Sequence, residues 1–114
     1  MIKTITLQSG KALNLAANAA TPFRFKQLFN TDLLKVFQQN TKSEDDNWLL
    51  ADTLSQLAFV MNRQAERVDM STLSLDEFYT WLEGYEPMDF ALAGEEIINT
   101  YLASTQTSIQ SKKK

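Results

Sequence analysis

The chain has 114 residues, a net charge of -3 and 44% hydrophobic residues, the balance of one ordinary globular domain with a core of its own. It contains no Cys and no His, which excludes disulfides, thiolate nucleophiles, Cys or His zinc sites and imidazole acid–base chemistry. Lys112, Lys113 and Lys114 hold three of the eleven positive charges; the remaining eight face fourteen acids, and a body near -6 repels phosphate backbones rather than binding them.

Residues 2–15 read as a β-hairpin. Ile5 and Leu7 alternate, Leu13 and Leu15 alternate, and Gln8-Ser9-Gly10-Lys11 between them is a turn signal. One face is then apolar and the other carries Thr4, Thr6 and Asn14. A lone hairpin is marginal in water, so it must dock on a helical body or pair with a partner's strand. The N-terminal run MIKTITLQSGK lacks the apolar core of a secretory signal, and no apolar run reaches the 18 or so residues of a membrane span, so a cytoplasmic location is expected.

After a linker over 16–20, Thr21-Pro22 is expected to open a helix, Thr as N-cap and Pro at the first helical position. Phe25, Leu28 and Phe29 follow at helical spacing. Asn30-Thr31-Asp32 interrupts, and Thr31 can recap a second piece from Asp32 to Gln39 bearing Leu33, Val36 and Phe37. One bent helix over 22–39 and two short ones are both compatible with the pattern.

Ser43 to Val68 is the expected centre of the fold. Ser43 caps it, and Glu44, Asp45 and Asp46 complement the positive end of the helix dipole while Arg63 and Arg67 complement the other. Leu50, Leu54, Leu57, Met61, Ala65 and Val68 draw one apolar stripe. Trp48, Leu49, Ala58, Phe59 and Val60 widen it, so neighbours must cover this helix on several sides. A helix over 44–67 is roughly 36 Å long, about as long as such a domain is wide. Asp69 to Leu73 connects to a capping box, Ser74-Leu75-Asp76-Glu77, ahead of Phe78, Trp81, Leu82 and Tyr85. Gly84 fits a C-terminal stop and Pro87 forbids continuation. A last helix is expected from about Met88 to Leu102, with Gly94 as a weak spot costing about 1 kcal/mol relative to Ala. Ser104 to Lys114 holds one apolar residue in eleven and reads as a disordered polar tail. The expected architecture is therefore α+β, mainly α: a hairpin followed by a four- to five-helix bundle around a long central helix, one domain over 1–103 with a flexible tail over 104–114.

Candidate chemistry is thin. Glu44-Asp45-Asp46 is dense, but adjacent helical residues point apart and cannot jointly grip a metal, and EF-hand spacing is missing. Three glycines, Gly10, Gly84 and Gly94, build no phosphate-cradling loop. No catalytic residue, metal site or cofactor is expected. Twelve large aromatics exceed what a small core readily buries, and a surplus forms an apolar patch for a partner. Phe23, Tyr79 and Phe90 lie off the main stripes; with Phe25 and Phe29 they are the candidate partner-binding residues.

The run Ala20-Thr21-Pro22-Phe23-Arg24-Phe25-Lys26-Gln27-Leu28-Phe29-Asn30-Thr31-Asp32-Leu33-Leu34 resembles the opening helix of tail assembly chaperones from tailed phages and prophages of Gram-positive hosts. Ala58-Phe59-Val60-Met61 resembles the middle of that family's long helix, and Asp76-Glu77-Phe78 with Trp81-Leu82-Glu83 its Asp-Glu-aromatic helix. Asn99-Thr100-Tyr101 departs from it, standing where a more aliphatic stretch is expected. The resemblance implies a non-catalytic protein of the bacterial host cytoplasm. It would bind the tape measure protein, recruit major tail protein and leave before the virion is finished, with self-association as a further option. It also implies a frameshifted longer product in many such phages, which the Lys112–Lys114 run suggests. The rival readings are a structural head–tail connector or tail terminator, and a helix-turn-helix regulator, which the acids Asp76, Glu77 and Glu83 in Ser74–Gly84 disfavour.

Overall fold

In the computed structural model, residues 2–33, 35, 51–86 and 88–113 are described, without the side chains of Ala51, Asp52, Met70 and 104–113. The elements run β1 (Lys3–Thr6), β2 (Ala12–Leu15), α1 (Thr21–Phe29), α2 (Ala51–Ala65), a 3-10 turn at Met70–Thr72, α3 (Leu75–Leu82), α4 (Asp89–Leu92) and α5 (Gly94–Lys113). This is the expected hairpin followed by a mainly helical body.

The hairpin forms because Gly10, at φ +95°, closes a three-residue loop that few side chains tolerate. Leu7 N–H donates to the Lys11 carbonyl at 2.8 Å and Gly10 N–H to that of Leu7 at 2.9 Å. The antiparallel register pairs Thr4 with Asn14 and Ile5 with Leu13. The apolar face is buried: Ile5, Leu7, Leu13 and Leu15 are all within 2% of full burial. That face lies on α2, and the backbone joins it too, Ala16 N–H donating to the Met61 carbonyl at 3.0 Å.

α2 is the strut expected from the sequence, covered by β2, α1, α3, α4 and α5. Leu57, Ala58, Val60 and Met61 are fully buried, Phe59 and Leu54 nearly so, and each fully buried large side chain contributes about 1.5–3 kcal/mol. α2 ends on Arg67 at φ 59°, where Val68 N–H donates to the Arg63 carbonyl and Arg67 N–H to that of Gln64. This is a Schellman stop made without glycine. The cap at Ser43, the run Glu44–Asp46 and the stripe residues Trp48, Leu49 and Leu50 lie outside the described residues, as do Val36 and Phe37.

Several local expectations are revised, while the cap expected at Ser74 is found. Helix α1 starts at Thr21 with Ala20 as its cap residue and no side-chain cap bond. Thr21 Oγ1 instead accepts the Asn18 N–H at 3.0 Å, from three residues before it rather than from the helical turn after it. Asn30, at φ 55°, closes α1, and the recapping expected of Thr31 falls to Asp32, whose Oδ1 accepts the Lys35 N–H at 3.2 Å. Ser74 does cap α3, its hydroxyl accepting from Glu77 N–H at 3.2 Å. Gly84 follows α3 without using glycine's freedom, since its φ is not positive. The single last helix divides at Ala93 into α4 and α5, and the backbone of α5 continues through the polar tail to Lys113. Gly94 at that division is buried against Leu54: a Cβ built there would meet Leu54 Cδ1 at 2.9 Å. Its missing side chain is what lets α5 approach α2, so it is a close-packing device rather than a weak spot.

Candidate partner-binding surface

Two buried polar side chains, Asn62 and Asp89, lock the frame, with half-buried Gln64 beside the first. Asn62, 4% exposed, sits among the apolar residues of α2. Its Nδ2 donates to the Asn14 carbonyl on β2 at 2.9 Å, and its Oδ1 accepts from Trp81 Nε1 on α3 at 3.2 Å and from Arg63 Nε at 3.2 Å. One side chain thus couples the hairpin to α3, and each partner would be left unpaired without it. Gln64 adds a second tie, its Nε2 donating to the Ala16 carbonyl at 2.7 Å and to Thr21 Oγ1 at 3.0 Å.

Asp89, 2% exposed, fastens the hairpin's turn to the start of α4. Its carboxylate accepts from Glu86 N–H at 2.9 Å, Ser9 Oγ at 3.0 Å and Ser9 N–H at 3.3 Å. Donors aimed at the charged form, the Glu86 N–H first, hold its pKa below the ordinary carboxylate value despite burial. Lys11 adds to the same corner, donating to the Gly84 carbonyl with its Nζ 4.9 Å from the Tyr85 ring centroid. Burial in turn pushes the Tyr85 phenol up.

Between these ties the aromatic rings form a continuous run. Phe25 meets Phe29 at 5.2 Å, Phe29 meets Phe78 at 5.0 Å, and Phe78 meets Phe59 at 5.3 Å. Phe59 meets Trp81 at 5.2 Å and Trp81 meets Phe90 at 5.4 Å. Most centroid distances and tilts fall in the range where aromatic pairs add to simple burial. The run fixes α1, α3 and α4 side by side.

The five candidate residues divide across this run. Phe23 is 74% exposed on α1 and Tyr79 57% exposed on α3, so both offer surface. Phe29 is half-buried, while Phe25 and Phe90 are core residues at 0% and 3% exposure with no surface to offer. Phe90 turns inward with Ala93, Ile97 and Tyr101, three, seven and eleven residues further on, a single helical stripe that is buried throughout. The structure also exposes Leu75, Met88 and Leu92, none of which the sequence reading singled out. A cleft of about 60 Å³ lies between Arg24, Gln27, Leu28, Ser71 and Leu73, far below the roughly 300 Å³ at which small-molecule sites begin. No helix among the described residues is long and apolar enough to cross a membrane.

Comparison with known protein families, curated proteins and solved structures finds no match to this chain.

Proposed function

We propose that this chain is a non-catalytic helix-binding chaperone of the phage tail-assembly kind. It works in the bacterial host cytoplasm, shields the apolar helices of a tape measure protein, and brings major tail protein to it. One structural observation supports the reading: Phe23 and Tyr79 stand in solvent, as do Leu75, Met88 and Leu92. Large apolar side chains in water favour a second surface that removes them from it. The motif order described above supplies the class of partner. A chaperone of helices needs apolar surface on an acidic, soluble body and no reactive group.

The test is co-expression of this chain with the tape measure protein and major tail protein of its own replicon, followed by capture on the tape measure. Wild type is expected to be retained, and Phe23→Ser with Tyr79→Ser to be lost while its melting curve is unchanged. Retention of that double variant at wild-type level overturns the assignment of these residues. Failure of wild type to bind overturns the function. Mass spectrometry of purified particles separates the rival: a chaperone is absent from them, whereas a connector or tail terminator persists.

A further inference from the structure

The two outer edges of the hairpin are treated differently. Along β2 the outward backbone groups are met by α2. The Asn14 carbonyl accepts from Asn62 Nδ2 at 2.9 Å, Ala16 N–H donates to the Met61 carbonyl at 3.0 Å, and the Ala16 carbonyl accepts from Gln64 Nε2 at 2.7 Å. In an antiparallel ladder two directly opposed residues turn their N–H and C=O either to each other or both away. Asn14 turns away, so Thr4 opposite it does too, and by the two-residue period so do Ile2 and Thr6. Leu7 has the other parity and turns inward, its N–H on the Lys11 carbonyl. Ile2, Thr4 and Thr6 therefore present a row of donors and acceptors along the free edge of β1. Among the described residues no hydrogen bond from outside the hairpin reaches the backbone of any of the three. Their side chains are exposed as well, Ile2 at 51%.

We propose that this edge pairs with the same edge of a second copy of the chain, antiparallel about a two-fold axis at Thr4, making a four-stranded sheet across the two chains. The spacing is what selects a second copy. The outward residues are symmetric about Thr4, so pairing centred there sets Thr4 against the second copy's Thr4 and Ile2 against its Thr6, and each such pair exchanges both its main-chain bonds. Thr with Thr and Ile with Thr are favourable cross-strand neighbours, and Ile2 gains cover from the Thr6 methyl. Lys3, the one charge on β1 and the residue that would blunt an edge, falls opposite the second copy's Ile5 rather than its Lys3. The strand has no Pro to interrupt the pairing. The axis stands perpendicular to the sheet, so both helical bodies lie on one side of it. This inference goes beyond the chaperone reading and does not depend on it.

The test is sedimentation equilibrium of the full chain from about 10 μM to about 1 mM, where wild type is expected to pass from monomer to dimer. Thr4→Lys alone and Thr4→Glu alone each set like charges opposite one another at the axis, and each is expected to weaken dimerisation about tenfold or more. An equal mixture of the two, with Lys opposite Glu, is expected to recover it. Thr4→Pro removes an outward N–H that the hairpin does not use, and is expected to abolish the dimer; should that variant not fold, the charge variants and their mixture decide alone. Amide exchange at Thr4 and Thr6 is expected to slow as the dimer fills. A wild type that stays monomeric throughout the range overturns the proposal. So does a dimer that survives both Thr4→Lys and Thr4→Glu, or a mixture that fails to recover what the two variants lose. A dimer broken by Phe23→Ser with Tyr79→Ser also overturns it, because helix faces then hold the copies together.

Discussion

Gly94→Ala probes a close approach of α5 to α2. The added methyl would sit 2.9 Å from Leu54 Cδ1, 3.6 Å from Cδ2 and 3.9 Å from Cγ. Helix propensity favours the change by up to about 1 kcal/mol, and by less at Gly94, the first residue of α5. Against this, Leu54 is 5% exposed and has little room to swing aside. Forcing a methyl into a packed site costs roughly 1–3 kcal/mol. The steric term wins, and a net loss of about 1 kcal/mol is expected. In urea unfolding followed by tryptophan fluorescence, a slope near 2 kcal/mol/M turns that loss into a midpoint lower by about 0.5 M. The decisive comparison is made with Leu54→Ala, which alone costs about 2–5 kcal/mol. With the leucine gone, Gly94→Ala should become neutral or stabilising, a coupling of about 1–2 kcal/mol. If Gly94→Ala is neutral in the wild-type background, or equally harmful with and without Leu54, the close-packing explanation is wrong.

Asn62→Leu should destabilise by about 2 kcal/mol, because Trp81 Nε1 and the Asn14 carbonyl lose their shared partner inside the protein; equilibrium unfolding measures it. Arg67→Gly should stabilise by about 1 kcal/mol, since φ 59° strains a side chain and suits glycine; a thermal melt decides. Ser74→Ala should cost on the order of 1 kcal/mol by orphaning the Glu77 N–H, and a melt reads this too. Asp89 has a folded-state pKa below its unfolded value, so the stability it supplies is complete well above about pH 3.9 and falls as acid carries the pH down through the lowered value. The melting temperature of wild type should therefore exceed that of Asp89→Asn at neutral pH, and the gap should close in acid.

The hairpin and the central helix were readable because their periodicities are strong and their buried sets coincide with the apolar ones. Ile5, Leu7, Leu13 and Leu15 alternate, and all four are core. Position 62 was not readable: an Asn beside Met61 and Arg63 looks like a surface residue until the hairpin carbonyl and the Trp81 indole arrive from 48 and 19 residues away. The same holds for Asp89, whose partner Ser9 is 80 residues distant. Phe25 and Phe90 were taken for partner contacts because a surplus of aromatics does not say which rings are the surplus. Phe90 shares the helical spacing of Ala93, Ile97 and Tyr101 and is buried with them, and Phe25 belongs to the same core cluster.

The tie between Ser9 and Asp89 has a bearing on how the protein is made. At roughly 5–20 residues per second, the ribosome needs on the order of 4–16 s to deliver the second half of that contact after the first. Until α2 arrives, whose tie to β2 spans 48 residues, the earliest-made segment has its strands and its turn but no helix to lie on, and the Asp89 clasp comes later still. High contact order then makes docking a late, closing event, and the nascent hairpin spends seconds as an open invitation to other strands before its own C-terminal half shuts over it.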